Sequence, residues 1–188
     1  MNELPEKDRQ LLKSVINSKV RGFTFCGMKG CDEPIVHKSG KYAESTWGII
    51  FHLENNNDVV LTWGEDKNVG DPFFIQLNPT DEFTTIDSLE PQVVTEYHPW
   101  DEYINKKVTS ATVHCYSTNY KDPNSWHDVP WGIEFKFDDS KKMLVAALHH
   151  DDFLDYLICA DEVVIIFDQE LIKLVIQSHS KFKSEWSR

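Results

Sequence analysis

The amino-acid sequence predicts an α+β fold that is mainly antiparallel β-sheet, built from two tandem β-rich repeats related by internal duplication. The first observation behind this prediction is a repeated segment: residues 46–54, TWGIIFHLE, return 84 residues later at 130–138 as PWGIEFKFD. The second is the alternation of apolar and polar side chains in the later copy, which is typical of a strand with one buried face. A helix is predicted near each end of the chain.

Within the second copy, alternation predicts four side chains on the buried face of one strand: Trp131, Ile133, Phe135 and Phe137. Each copy continues with a polar turn, at 55–58 and 138–141, and then with a second apolar run. Two extended runs separated by a short polar turn indicate a β-hairpin. The sequence therefore predicts the same hairpin twice.

Further segments repeat in the same order. The pentapeptide INSKV at 16–20 precedes a strand pattern, and INKKV at 104–108 precedes another, 88 residues later. Unequal loops between matching strands explain why this offset differs from 84. Two later pairs also match: the apolar runs 73–77 and 156–160, and the segments 81–90 and 161–170, which both begin with Asp-Glu. Four matched blocks predict a duplicated unit.

Helical spacing of apolar residues, with Pro5 near the first turn, predicts the first helix within residues 3–16. Asp168 is the predicted N-cap of the last helix. These limits place a first repeat with its helix at 1–93 and a second with its helix at 98–188. Units of this size bury little apolar surface alone, so we expect the repeats to pack as one globular unit.

Composition restricts the class of partner. The 188 residues contain 31 acidic and 19 basic side chains, for a formal net charge of −12. This balance argues against binding to nucleic acid or to anionic membranes, and it would steer the chain toward a basic protein partner. Solubility alone is the simpler interpretation of the same charge. The first eight residues are charged and no apolar run approaches the thickness of a bilayer, so the sequence predicts a cytoplasmic protein with reduced cysteines.

Two clusters hold residue types that bind metal ions. Cys26 and Cys31, with His37 nearby, would supply three zinc ligands and require a fourth from elsewhere. The second cluster contains His149, His150 and Asp152. A strand end and a solvated loop are the simpler interpretations of these segments. No phosphate-binding loop, dinucleotide fingerprint, nucleophile elbow or HExxH motif is present, so we predict no catalytic residue, no metal and no cofactor.

Partner binding is predicted in the loops that differ between the two copies, where rigid aromatic side chains mix with adaptable polar ones. The predicted binding residues are Tyr42, Glu44, Tyr116, Tyr120, Asp122, Trp126 and Asp128. Packing of one or two of these aromatic rings at the end of a sheet is the alternative.

An acidic chain with the segment WGIEF at 131–135 and the segment DEVVIIFD at 161–168 resembles small bacterial immunity proteins, which neutralise polymorphic or contact-dependent toxins. The resemblance implies tight binding to a cognate toxin domain without catalysis, and it assigns no binding residue. The sequence thus favours a non-enzymatic inhibitor. The alternatives are a metal-binding or hydrolytic enzyme that uses a His/Asp or Cys/His cluster, and a self-assembling structural domain.

Overall fold

A computed structural model describes residues 5–30, 35–65, 73–80, 88–118, 127–148 and 162–180. The described strands are β1 (Val20–Met28), β2 (Tyr42–Ser45), β3 (Gly48–Leu53), β4 (Val59–Glu65), β5 (Phe73–Pro79), β6 (Leu89–Val93), β7 (Val108–Thr118), β8 (His127–Phe137), β9 (Lys142–Ala146) and β10 (Val163–Ile166). The described helices are α1 (Glu6–Val15), α2 (Gln169–Ser180) and a 3-10 turn, Trp100–Tyr103.

The strands form two antiparallel sheets of five strands each, ordered β5-β4-β3-β1-β6 and β2-β10-β9-β8-β7. The predicted α+β class, with antiparallel sheets and a helix near each end, is confirmed. In each sheet four strands form a meander, in which every strand pairs with the one before it: β1, β3, β4 and β5 in the first sheet, and β7 to β10 in the second. The fifth strand comes from elsewhere in the chain.

Helix α1 is amphipathic and lies beside the edge strand β5. Leu12 and Val15 are fully buried in the core, and the helix ends at Ile16, whose backbone is extended. Asp8 is also buried, and its carboxylate accepts the backbone N–H of Leu77 at 3.4 Å. The helix therefore covers an edge of the first sheet and satisfies one of its unpaired donors.

Helix α2 covers the outer face of the second sheet. Its N-cap is Asp168, as predicted, because this carboxylate accepts the backbone N–H of Leu171 at 2.8 Å. Ile172 and Val175 are buried against an apolar cluster on β9 and β10. The cluster includes Leu144, Ala146, Val164 and Ile166.

One apolar core spans the facing surfaces of both sheets. At its centre the rings of Phe51 on β3 and Phe135 on β8 pack with centroids 5.1 Å apart. Trp100 packs against Phe23 at 5.3 Å and against Phe167 at 4.7 Å. Side chains from the two sheets thus bury one another.

The pairing registers of the two meanders match. Cys26 on β1 pairs with Gly48 on β3, and His114 on β7 pairs with Gly132 on β8. The partners differ by the offsets found in the sequence, 88 residues for the first strand and 84 for the second. The next pairs, Gly48 with Thr62 and Gly132 with Ala146, keep the offset of 84.

Reciprocal hydrogen bonds join the beginnings of the two meanders. The N–H of Asn17 donates to the carbonyl of Val108 at 2.7 Å, and the N–H of Asn105 donates to the carbonyl of Val20 at 2.8 Å. Both asparagines have a positive φ, 72° and 60°. The second bond is the first with both partners replaced by their equivalents 88 residues away, so that donor and acceptor change meanders. A local twofold axis produces this relation, so the two meanders are arranged pseudo-symmetrically.

The structure corrects the prediction that Trp131 shares the buried face of Ile133 and Phe135. Between two consecutive pairs β7 advances by one residue, from His114 to Cys115, whereas β8 advances by two, from Gly132 to Pro130. Trp131 is the additional residue of this β-bulge and packs in the cluster under α2. Trp47, which precedes Gly48, likewise packs on the outer face of its own sheet.

Three other details differ from the sequence pattern. Residues 91–99, which have the composition of a linker, contribute to β6, and β6 pairs with β1. Strand β2 comes from the first predicted repeat but pairs with β10 in the second sheet. Strand β10 takes the place in its meander that β5 takes in the first, whereas the sequence pattern matched β5 with 156–160, which lie outside the described residues.

Candidate functional site

A surface that combines exposed apolar side chains with acidic ones lies on β6 and the turn after it. We call it the acidic rim, and it consists of Glu90, Val93, Glu96, Tyr97 and Asp101. The side chains of Val93 and Tyr97 are 70% and 54% exposed, and the three carboxylates are also exposed. Large exposed apolar side chains that lie among charged groups of one sign are typical of a protein-binding surface.

Buried neighbours hold the rim in place. Val94 is fully buried, and its N–H donates to the carbonyl of Phe23 at 3.1 Å. The hydroxyl of Thr95 accepts the N–H of Phe23 at 3.1 Å. The N–H of Tyr97 then donates to Val94, and the N–H of Asp101 donates to Tyr97, each at 3.0 Å. The exposed side chains therefore project from a hydrogen-bonded backbone.

The electrostatic character of the rim follows from its sequence. Residues 88–103 contain four acidic side chains and neither lysine nor arginine. Glu102 forms an ion pair with Lys141 from the β8–β9 turn. His98 lies 3.6 Å from Asp101 and 3.4 Å from Glu102 and is itself largely exposed. Among the described ion pairs, none joins Glu90, Glu96 or Asp101 to a lysine or an arginine, so the segment itself carries a net negative charge.

A second polar network lies on the outer face of the first sheet. The hydroxyl of Thr24 is 2.8 Å from Nε2 of His52, and Nδ1 of His52 is 2.7 Å from a carboxylate oxygen of Asp58. The order hydroxyl, imidazole and carboxylate is that of an activated nucleophile, its base and the group that orients the base. At the positions equivalent to His52 and Asp58, 84 residues later, the second meander has Lys136 and Lys142.

The surroundings of this network favour a structural role. Thr24 is only 7% exposed, so its hydroxyl offers little access to a substrate. The second carboxylate oxygen of Asp58 accepts the N–H of Leu53 at 2.9 Å. The network therefore joins β1 to the β3–β4 turn with every described polar group hydrogen-bonded.

The structure separates the predicted binding residues into two groups. Tyr42 and Glu44 lie on β2, at one edge of the second sheet, where the Tyr42 ring stacks on His37 at 4.5 Å. Tyr116 and Asp128 lie on β7 and β8, at the opposite edge. Tyr116 is buried in the cluster under α2, and Asp128 accepts a hydrogen bond from the hydroxyl of Ser117. The remaining residues, Tyr120, Asp122 and Trp126, lie outside the described part of the chain.

Of the metal ligands that the sequence suggested as alternatives, Cys26 and His37 lie in the described part of the chain. Burial raises the pKa of the Cys26 thiol to about 12, which opposes the thiolate that a metal ion requires. His37 is hydrogen-bonded through Nδ1 to the hydroxyl of Ser39 at 2.8 Å. Within the described ranges, no group of three or more His, Cys, Asp or Glu side chains is arranged to hold a metal ion. The other ligands that the sequence suggested lie outside those ranges: Cys31, His149, His150 and Asp152.

A stack of three aromatic rings lies between α2 and the second sheet. The Trp131 ring packs between His179, at a centroid distance of 4.8 Å, and His114, at 5.5 Å. His179 is 2% exposed, and its Nδ1 hydrogen-bonds the carbonyl of Val175 at 2.8 Å. The bulge that displaces Trp131 therefore adds a ring contact between α2 and the sheet to the apolar contacts of Ile172 and Val175.

Comparisons with protein-family models, with curated proteins and with solved structures found no match. Of the helices in the described ranges, none has the length and apolar character needed to cross a bilayer.

Sequence reasoning missed the acidic rim because Pro91 and Pro99 give the segment the composition of a linker. A signal was nevertheless present. Between Glu90 and Glu102 the sequence contains four acids, no lysine or arginine, and the apolar residues Val93, Val94 and Tyr97. Which of these apolar side chains is buried depends on the pairing of β6 with β1, a long-range contact that the local sequence does not specify.

Proposed function

We propose that this chain is a non-enzymatic protein-binding protein, an immunity-type inhibitor that uses its acidic rim to occlude a basic surface on a cognate bacterial toxin domain in the cytoplasm. The observation that carries the proposal is the exposure of Val93 and Tyr97, at 70% and 54%, among the carboxylates of Glu90, Glu96 and Asp101.

The two kinds of side chain have different roles in binding. Tyrosine supplies a large contact area at a low cost in conformational entropy, and such residues commonly dominate the binding free energy. Carboxylates around it attract a basic partner and raise the association rate, an effect that salt screens. The rim fits a basic protein better than a nucleic acid or an anionic membrane, because both of those repel carboxylates.

We also infer that the two meanders arose by internal duplication. The constant offsets of 84 and 88 residues in paired registers, and the reciprocal bonds of Asn17 and Asn105, support this inference. The rim belongs to β6, the strand that is added to the first meander. Divergence after duplication would leave the common meanders as scaffold and place binding on the added element.

The decisive experiment is coexpression of this chain with the toxin domain encoded beside it, with growth as the readout and binding kinetics on the purified pair. We expect rescue of growth and a nanomolar or tighter complex whose association rate falls as salt rises. A neighbouring product that is not toxic, or that does not bind, would contradict the proposal.

Matched variants locate the binding surface. Tyr97→Ala combined with Glu96→Lys removes the exposed ring and reverses one rim charge, and we expect about 100-fold weaker binding. The control, Leu174→Ala with Glu170→Lys, makes the same kinds of change on α2, where Leu174 is 50% exposed. We expect less than about threefold weakening from the control. Equal losses from both variants would show that the rim is not the binding surface.

A hydrolase is the second candidate function, because Thr24, His52 and Asp58 follow the order of a nucleophile, its base and the group that orients the base, although the burial of Thr24 opposes this function. A fluorophosphonate probe and a p-nitrophenyl ester test it directly, because an activated hydroxyl reacts with both. If the chain is a binding protein, neither reagent reacts above the level of a His52→Gln variant. Labelling of Thr24 that depends on His52 would replace the first candidate with the second.

A further inference from the structure

The four edges of the two sheets differ in how they are protected against pairing with another strand. At the β5 edge, Asp8 of α1 accepts the N–H of Leu77. At the β2 edge, which is only four residues long, the carbonyl of Tyr42 accepts the N–H of His37 at 2.8 Å. On β6, Pro91 lacks the N–H that an added strand would need. These devices are the ones that natural sheets use against association.

Strand β7 has none of these devices between Thr109 and His114 in the described part of the chain, whereas at its start the N–H and the carbonyl of Val108 bond to Ser18 and Asn17. It runs for 11 residues, Val108–Thr118, without proline, aspartate, glutamate, lysine or arginine. Its composition is rich in threonine and valine, which favour extended structure. It pairs with β8 on one side, and no described strand pairs with its other side. Thr109, Ser110 and Thr112 are exposed.

Strand β1 shows what this edge can bind, because it has the matching position in the first sheet. The carbonyl of Phe23 accepts the N–H of Val94, so alternate residues of β1, Phe23 and Phe25, direct their backbone groups toward β6. The residues 88 positions later are Ala111 and Val113. Their backbone groups point to the side of β7 where the first sheet has its fifth strand.

We propose that the β7 edge is a self-association surface, where β7 of a second copy pairs antiparallel and joins the two second sheets into one continuous sheet. The pairing is centred on Thr112, so that the Thr112 residues of the two copies lie opposite each other. Ala111 of each copy exchanges backbone hydrogen bonds with Val113 of the other. Threonine opposite threonine is a favourable cross-strand pair in an antiparallel sheet.

Charge and symmetry together favour a second copy as the occupant. A twofold pairing centred on Thr112 places this residue opposite its own counterpart and Ala111 opposite Val113, so a charged side chain at the axis would oppose a like charge. The strand contains none. The acidic rim lies on the first sheet and not on this edge. The net charge of −12 still opposes association, so we expect the dimer to strengthen as salt rises.

The proposal is independent of the proposed function, because the β7 edge and the acidic rim lie on different sheets. A dimer formed through β7 leaves both rims exposed and is therefore bivalent for a partner. A chain that binds the toxin but stays monomeric at every concentration would contradict only this inference, whereas a dimer that binds no toxin would contradict only the proposed function.

Sedimentation equilibrium of the full chain, from about 1 μM to about 1 mM, measures self-association, since edge pairing buries little surface and gives a weak dimer. Residue-resolved amide exchange locates the interface. We expect the Ala111 and Val113 amides to become about tenfold more protected as the dimer forms. The Thr112 amide, which bonds to β8, stays protected at all concentrations.

The variant Ala111→Pro removes an outward N–H for which the described part of the chain shows no acceptor, and we expect at least about tenfold weaker dimerisation. Val93→Pro is the matched control, because its N–H also points outward, from β6, and we expect an unchanged dimer. Circular dichroism verifies that both variants keep the sheet content. Because proline in place of Ala111 could distort the strand, Thr112→Lys, which places two lysines opposite each other at the twofold axis, provides a second test.

Three results would overturn the proposal. The first is a monomer at every concentration and salt level. The second is a dimer that Val93→Pro weakens as much as Ala111→Pro does. The third is protection of Ala111 and Val113 in the monomer that disappears when the chain is truncated after Ser180, because the edge would then be occupied by the chain itself.

Discussion

At the scale of single residues, burial determines the chemistry of Cys26. Its side chain is 1% exposed and packs with Ile50 and Val60 on the outer face of the first sheet. Its sulfur lies 3.8 Å from the carbonyl of Thr24, and desolvation raises the pKa of the thiol to about 12. Thiolate is the reactive form, so we expect this cysteine to be unreactive in the folded protein.

We expect native Cys26 to resist alkylation at pH 8, in a variant where it is the only cysteine, and to react fully in denaturant. Substitution of the other three by serine, at Cys31, Cys115 and Cys159, makes the rate attributable to one thiol. Iodoacetamide labelling followed by mass spectrometry measures it. A native rate within about tenfold of the denatured rate would contradict the burial of this side chain.

His114 couples folding to pH. Desolvation lowers its pKa in the folded protein, with a further lowering effect from Lys142, while Glu134 acts in the opposite direction. Because the folded pKa lies below the unfolded one, protons bind the unfolded chain more strongly. The stabilising contribution is fully present above the unfolded pKa, near 6.5, and is lost as pH falls toward the folded pKa.

We therefore expect the free energy of unfolding to fall between pH 7 and pH 5, and to fall less steeply in His114→Phe. Phenylalanine keeps a ring against Trp131 but cannot bind a proton. Urea denaturation at a series of pH values measures both slopes, and the difference between them isolates His114 from the other titrating groups. Identical slopes would show that its protonation is not linked to folding.

At the scale of elements, local patterns predicted the strands and helices that depend on local contacts. The two hairpins and the Asp168 cap follow from alternation and from capping chemistry, and both are present. Strands β2 and β6 could not be predicted, because each is defined by a partner far away in sequence. The face of the sheet on which Trp131 lies could not be predicted either, because one additional residue in a β-bulge reverses the alternation of side chains that the pattern assumes.

The contact between β3 and β8 is the most testable of the element contacts. Phe51→Leu and Phe135→Leu should each destabilise the protein by about 1–3 kcal/mol, because both rings are fully buried. Their effects should not add, since the rings touch, and we expect a coupling of about 0.5 kcal/mol or more. Urea denaturation of the double-mutant cycle measures it.

The control for that cycle combines Phe51→Leu with Leu174→Ala, which lies on α2 and is half exposed. Here we expect additive effects, because α2 packs on the outer face of the other sheet. Additivity in both cycles would contradict direct packing of Phe51 on Phe135.

At the scale of the whole molecule, the two sheets bury a common core, so we expect one cooperative unfolding transition. The amides of Val60 on β4 and Val145 on β9 report on the two sheets separately. Their opening free energies from native-state hydrogen exchange should agree within about 1 kcal/mol. A β9 amide that opens at a clearly lower free energy would show that the two sheets unfold as separate units.

The candidate site was less predictable than the fold. Charge alone predicted a basic partner, which stays a prediction. The residues could not be identified, because Tyr116 has the composition of a contact residue yet is buried, whereas Tyr97 lies in a linker-like segment yet is exposed. Exposure is a property of the assembled sheets, and the sequence records it only through contacts that are distant along the chain.

Strand β2 belongs to the first half of the chain but lies in the second sheet, and this placement has a consequence for biosynthesis. A ribosome releases residues 42–45 well before it makes Val163–Ile166, the strand beside which they belong. At about 5–20 residues per second, this strand waits for several seconds or more without its partner. The first half of the polypeptide thus reaches its native arrangement only when the second half has been translated, and a nascent chain stalled before Val163 would expose Tyr42–Ser45 to chaperones.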